Sequence, residues 1–232
     1  MSSYREIVHM ALDELKMVAD DSYFTTDHVM WLADKYRAAF LKKAYTAIGK
    51  EPPEGYYQTV CLSLVIDDRV EGMPCDGRLL RSDKPVPRMV RIGTPSLYAD
   101  GYFGAAFTMV SKERMRHVGH DKWRRNVIYA SIGPDFRLYM TSANPQHLYL
   151  KSVRLTAIFE NPREALALSC DDEELPCDPL DAEFLMEEAH VPLVLEAVVK
   201  ELSAAAYRPV DPSNNSSDDL SKVPAEGGGG DS

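Results

Sequence analysis

The 232-residue sequence predicts an α+β fold: an N-terminal helical hairpin, a central antiparallel β-sheet or small sandwich, and a C-terminal helix leading into a disordered acidic tail. Three observations predict it. Apolar residues recur at three-and-four spacing over residues 4–45 and again over 191–207, the period of helices with one buried face. Between residues 56 and 159 the pattern changes to short alternating or β-branched runs punctuated by Gly and Pro. Beyond Pro212 the chain turns to Ser, Asn, Asp and Gly, with too little apolar content to offset the entropy of ordering. The division that follows is a helical pair over 1–50, a β-rich unit over 51–160, a helical region over 161–210 and a tail over 211–232.

In the first helix Tyr4, Ile7, Val8, Ala11, Leu12 and Leu15 share a face, and Arg5, Glu6, Asp13, Glu14 and Lys16 occupy the other. Asp20-Asp21-Ser22 breaks the pattern, and Thr25 or Thr26 offers an N-cap oxygen to a second helix with Asp27 in its first turn. Val29, Leu32, Ala33, Tyr36, Phe40 and Leu41 are its expected apolar face. Lys35, Arg37, Lys42 and Lys43 make its later turns basic, and Gly49 and Pro52-Pro53 end it. Strands are expected at 57–66, 107–110, 127–132, 136–141 and 151–159, with a short one at 89–92. The Gly- and Pro-rich residues 72–87 read as loop, Gly133-Pro134-Asp135 as a hairpin turn, and Ser142-Ala143-Asn144-Pro145 as another turn. Asn161-Pro162 caps and opens a brief helix through Leu168, a helical turn is expected over 183–188, and Val191, Leu195, Val198, Val199 and Leu202 form the apolar face of the last helix.

Composition bounds the function. No run approaches the roughly 18 apolar residues that a membrane span requires. The N-terminal Met1-Ser2-Ser3-Tyr4-Arg5-Glu6 has neither the basic nor the apolar region of a secretory signal, so folding in a cytoplasm is expected. Cys61, Cys75, Cys170 and Cys177 are sparse and unevenly spaced, and reduced, small apolar side chains are expected. The net charge of -10 is partitioned: residues 1–159 hold 22 Lys and Arg against 18 Asp and Glu, a net of +4, and residues 160–232 hold 4 against 18, a net of -14. An acidic surface such as Asp171-Asp172-Glu173-Glu174 is usually a solvated face; facing a polyanion it repels, and facing a basic neighbour it docks.

Catalytic signatures are lacking. No phosphate-binding Gly-x-x-x-x-Gly-Lys loop, Gly-x-Ser-x-Gly elbow or His-Glu-x-x-His helix occurs. His117 and His120 have no companion ligand at zinc spacing, and no cofactor is expected. The strongest basic-aromatic patch is Lys112, Arg114, Arg116, Lys122, Arg124 and Arg125 around Trp123, a surface suited to phosphate or to a neighbour's acid.

Two helical stretches and two further segments carry a family resemblance. Glu6-Ile7-Val8-His9-Met10-Ala11-Leu12-Asp13-Glu14-Leu15, the break at Asp20-Asp21-Ser22, and Asp34-Lys35-Tyr36-Arg37-Ala38-Ala39-Phe40-Leu41-Lys42-Lys43 resemble the opening of a virion structural protein of crAss-like bacteriophages. Tyr57-Gln58-Thr59-Val60-Cys61-Leu62 and the helix ending at Tyr207-Arg208-Pro209 are similar to the same group, whereas Gly227-Gly228-Gly229-Gly230 falls outside the resemblance. The resemblance implies a tail or collar ring protein, assembled in the host cytoplasm, whose copies form a DNA conduit beneath the portal. Implied partners are copies of itself, the portal, other tail or ring proteins, and genomic DNA passing without sequence-specific binding, with no membrane. Expected interface residues are Arg37, Lys42, Lys43, Arg124, Arg125, Tyr207 and Arg208. The competing reading is a nucleic-acid-binding or regulatory protein that reads through its first two helices, against which stands the sequence pI of about 5.1. An enzyme with an unrecognised site is the third.

Overall fold

A computed structural model describes residues 2–18, 24–46, 51–67, 79–99, 106–118, 122–124, 126–170 and 178–206. Helix α1 spans Tyr4–Val18 and α2 spans Thr26–Tyr45. Ser3 and Glu6 begin α1 with a reciprocal capping box: Glu6 N donates to Ser3 Oγ at 3.3 Å, and Ser3 N donates to Glu6 Oε2 at 3.1 Å. Thr25 Oγ1 accepts from His28 N at the start of α2, as the sequence predicts. The last helix, α4, spans Val191–Ala206, and the short α3 spans Pro162–Leu166 behind its Asn161 cap.

α4 packs on both α1 and α2, more extensively than those two pack on each other. The N-terminal hairpin is thus completed by the C-terminal helix. One apolar cluster unites Ile7, Val8, Ala11 and Leu15 of α1, Val29, Leu32, Ala33 and Leu41 of α2, and Val194, Leu195, Val198 and Leu202 of α4. Burying such side chains contributes about 1.5–3 kcal/mol each, so amphipathic stripes distant in sequence find one another. Residues 182–184 are extended, where a helical turn was expected over 183–188; only Glu188–His190 forms a 3-10 turn. Their backbone is engaged by the N-terminus instead, with Tyr4 N donating to Ala182 O at 3.1 Å and Phe184 N to Ser2 O at 2.9 Å.

The β-rich middle is a single mixed sheet. Its strands are β1 (Gln58–Asp67), β2 (Leu79–Ser82), β3 (Ser96–Tyr98), β4 (Ala106–Met109), β5 (Val127–Ile132), β6 (Leu138–Ser142) and β7 (Ser152–Ala157). They lie in the order β3-β7-β1-β2-β6-β5-β4, with every pairing antiparallel except the parallel β4–β5. The long β1 changes partner midway: residues 58–63 pair with β7, and residues 64–67 pair with β2. The edges β3 and β4 come close to one another, so the sheet curls almost into a barrel. Val60, Leu62, Leu80, Ile128, Ala130, Leu138, Met140, Val153 and Leu155 fill its core. A smaller cluster of Leu79, Met115 and Tyr139 covers the other face of β2 and β6.

Three strands depart from expectation: β3 forms at Ser96–Tyr98, where no strand is predicted. β2 lies in the stretch read as loop, and the strand expected at 89–92 is a single bridge from Met89 to Phe159. Val90 N bonds Ile158 O at 2.8 Å, but Ile92 N turns back onto Val90 O at 2.7 Å and ends the pairing. The hairpin at Gly133-Pro134-Asp135 forms: Phe136 N bonds Gly133 O at 3.0 Å, with Phe136 in the left-handed region at φ 58°. A side chain at Gly133 has no room, since a Cβ there would lie 2.6 Å from the Tyr139 ring.

The cysteine expectation is corrected. Cys61 of β1 and Cys170 are joined in a disulfide across 109 residues, with Cα atoms 4.8 Å apart. The spacing conceals the pair because β1 and the segment after α3 meet only in the fold, where Cys61 N bonds Leu168 O at 2.7 Å. Cys75 and Cys177 lie outside the described residues.

Two measurements test this packing. Reductant should lower the stability of the oxidised protein by about 2–4 kcal/mol in denaturant titrations, and the Cys61→Ser, Cys170→Ser double variant should not respond to reductant. An unmoved wild-type protein would argue that the bridge does not form in solution. Tyr56 is buried, and its burial pushes the phenol up to about 12. The folded state therefore holds this proton more tightly than the unfolded chain; the stability it contributes is complete below pH 10 and is lost as the pH rises through about 12. Urea midpoints measured across that window should fall less steeply for Tyr56→Phe.

Candidate subunit interface

The pattern that makes α2 amphipathic places two charged residues on its buried face. Asp34 is 5% exposed and Arg37 is 0% exposed. Arg37 Nε donates to Leu185 O at 2.7 Å and its Nη1 donates to Phe159 O at 3.0 Å. Asp34 accepts a short hydrogen bond from the Tyr4 hydroxyl, and its other oxygen accepts from Arg163 Nη2 at 2.9 Å. Arg163 also lies 5.2 Å from the Tyr4 ring, which meets Phe184 edge-on at 5.1 Å.

Burial raises the pKa of Asp34, against the hydrogen bonds from Tyr4 and Arg163 and the charges of Arg163 and Arg37. Burial likewise lowers that of Arg37, against the charge of Asp34 among others, and raises that of the Tyr4 phenol well above its ordinary value. These groups tie α1, α2 and α3 to the end of the β7 segment and to residue 185. The surfaces on either side are thereby held in one arrangement.

Arg37 is thus corrected from an interface residue to an internal one. A guanidinium at 0% exposure that spends two donors on internal carbonyls cannot meet a partner in the folded chain. Lys42 and Lys43 are exposed at the C-terminal end of α2. Lys42 lines a cleft of ≈ 840 Å³ with Trp31, Lys35, Arg88 and Arg91, and with Glu160 and Glu164 opposite in charge. Trp31 is 54% exposed, with Lys35 Nζ 5.2 Å from its ring. Lys35 also pairs with Glu201 of α4 at 3.2 Å.

Arg124 stands elsewhere, exposed on a 3-10 turn, Lys122–Arg124, just before β5. Trp123 beside it is 93% exposed. Asn144 Nδ2 donates to Asn126 Oδ1 at 3.2 Å, bringing this turn next to Pro145–Tyr149, where Tyr149 is 69% exposed. The expected interface residues therefore divide between the helical layer and one end of the sheet. Arg125, Tyr207 and Arg208 lie outside the described residues. Among the described residues no group of three or more His, Cys, Asp or Glu is placed to hold a metal ion, and His120 lies outside them.

Sequence reasoning missed the buried cluster because periodicity counts apolar residues. The available signal was that positions 34 and 37 fall on the stripe of Met30, Ala33 and Leu41. It also missed an apolar groove of ≈ 610 Å³ where α1 meets the start of α4, lined by Met10, Val191 and Pro192 among others. Met10 at 47% and Leu193 at 51% exposure were legible as apolar residues off the main stripe.

A fold made of two rigidly joined layers, exposing aromatic and charged patches on each, is suited to assembly. Comparison with known proteins supplies its context: the sequence profile of phage tail ring protein 2 matches residues 6–220. The chain belongs to the phage tail ring protein 2 family. Ring protein 2 of Bacteroides phage crAss001 is 44% identical over 220 residues, covering 94% of this chain and 98% of that protein. The match spans every described element beyond the first few residues, so the helical layer and the sheet both belong to the family's shared body. The chain is accordingly a ring-type structural protein of a phage virion.

The buried cluster yields a prediction. Arg37→Ala should cost about 3–5 kcal/mol, because Asp34 loses a compensating charge and two internal carbonyls lose their donor. Lys43→Ala, on the exposed side of the same helix, should change stability by less than about 0.5 kcal/mol. Urea unfolding of the two variants checks the contrast; equal effects would remove the structural role assigned to Arg37.

Proposed function

We propose that this ring protein is a subunit of the head-to-tail connector, closing with copies of itself into a ring beneath the portal through which genomic DNA passes. The observation that carries the reading is the family match across residues 6–220, which takes in all of the described fold beyond its first four residues. Charge supports it. The first 159 residues carry a net of +4 and the remainder a net of -14, so each copy carries segments of opposite charge. A closed ring needs such a heterologous contact, in which one patch of a subunit meets a different patch of the next. A lumen bordered by acid lets DNA slide, since binding strength grows with the number of phosphates neutralised and acid neutralises none.

In this reading Lys42, Lys43 and Arg124 contact neighbouring subunits, with Arg125, Tyr207 and Arg208 contributing from outside the described residues. The sheet contributes wall, and the acidic final third contributes docking surface and lumen. The nucleic-acid-binding alternative lacks a comparable support: Lys35 and Lys42 of α2 share their cleft with Glu160 and Glu164.

Electron microscopy of intact particles tests the proposal. The expected result is density for this chain in a closed ring on the tail axis, directly below the portal. Off-axis density, or a ring separated from the portal by other tail proteins, would overturn the connector placement. Purified rings should also retain DNA without sequence preference and only at low salt. Sequence-specific retention at 150 mM salt would favour the regulatory reading.

A further inference from the structure

Trp123 is the most exposed large apolar side chain of the described residues, at 93%, and it belongs to none of the apolar clusters. A tryptophan left in water forgoes the burial of roughly 150–250 Å² that makes this residue a frequent anchor of protein contacts. It projects from a short 3-10 turn at one end of the sheet, next to the exposed Arg124.

The helical layer carries a hollow of matching character. Where α1 meets the start of α4, Met10, Val191 and Pro192 line an apolar groove of ≈ 610 Å³, bordered by Glu6 and Glu188. Arg5 and His9 also line it, and the Arg5 guanidinium is already held by Asp178 at 2.7 Å and Asp181 at 2.8 Å. The rim is therefore acidic, while the turn bearing Trp123 is basic. Indole against thioether and aliphatic carbon is a favourable contact, and its flanking charges are opposite in sign.

We infer that Trp123 of one copy inserts into the Met10, Val191 and Pro192 groove of the next copy, with Arg124 against the Glu6 and Glu188 rim. The inference rests on the ring reading and gives it a specific contact. The two patches belong to separate layers of the subunit, one on the sheet and one on the helices. A projection and a hollow on different parts of one chain make a head-to-tail contact, which repeats until the ring closes.

The experiment places benzoylphenylalanine at position 123 of the full chain, assembles it into particles, irradiates them, and maps the joined peptides by mass spectrometry. Crosslinks from position 123 to residues 6–10 or 188–193 of a second copy are expected. Crosslinks to other parts of a second copy, or to another protein, would overturn the contact while leaving the ring intact. An amine-reactive crosslinker on wild-type particles separates the two readings: if it joins no copy to another, the ring reading fails and takes this contact with it. Trp123→Ala should keep the wild-type melting temperature, because the side chain lies outside every core. Its assembly midpoint should rise roughly thirty-fold or more, the usual effect of removing an interface anchor, and an unchanged midpoint would overturn the proposal.

Discussion

The cluster of Arg37, Asp34, Tyr4 and Arg163 is the constraint on which the arrangement of this molecule depends. Apolar packing brings helices and sheet together but is non-directional, and it leaves their relative orientation loosely specified. Hydrogen bonds from a buried guanidinium to the carbonyls of Phe159 and Leu185 are directional, and leaving those carbonyls unpaired is costly. The carboxylate of Asp34 adds α1 through Tyr4 and α3 through Arg163. Such a directional device holds the helices in one orientation against the end of the β7 segment.

The sheet meets a second requirement of assembly. An open edge of unpaired strand would invite indiscriminate pairing with other chains. Here both edge strands are short, with three residues in β3 and four in β4, and they approach each other as the sheet curls. The Cys61–Cys170 bridge ties the long strand β1 to the segment that follows α3, the helix that carries Arg163. The bridge thus fastens β1 to the segment behind α3, and the Arg37 hydrogen bonds fasten the helical layer to the end of the β7 segment. Among the large apolar side chains left exposed are Trp31, Trp123, Tyr149, Met10 and Leu193.

Much of the architecture was legible because its signals are local. The helix beginning at Thr26 shows its Thr25 cap, the helix at Pro162 its Asn161 cap, and β5 its β-branched and aromatic run. The four residues of β2 were not legible, since Leu79-Leu80-Arg81-Ser82 is too short to display a period and its strand character comes from lying between β1 and β6. Lys42 and Arg124 are exposed, whereas Arg37 was misplaced because a charged side chain on a helix ordinarily faces water. Only the neighbouring carbonyls and Asp34 make its burial possible.

By itself, then, the sequence determined the class of fold, the order of its helices and most of its strands, the division of charge and the family resemblance. Each of these is written in spacing or in composition, within a few residues or by simple count. The tertiary structure alone decided that α4 completes the helical layer, that Cys61 meets Cys170, that Arg37 lies inside and that Trp123 lies outside. These facts depend on which distant segments become neighbours, and that is settled by the summed packing of the whole chain and by the pairing of its buried polar groups, neither of which any short stretch of sequence contains.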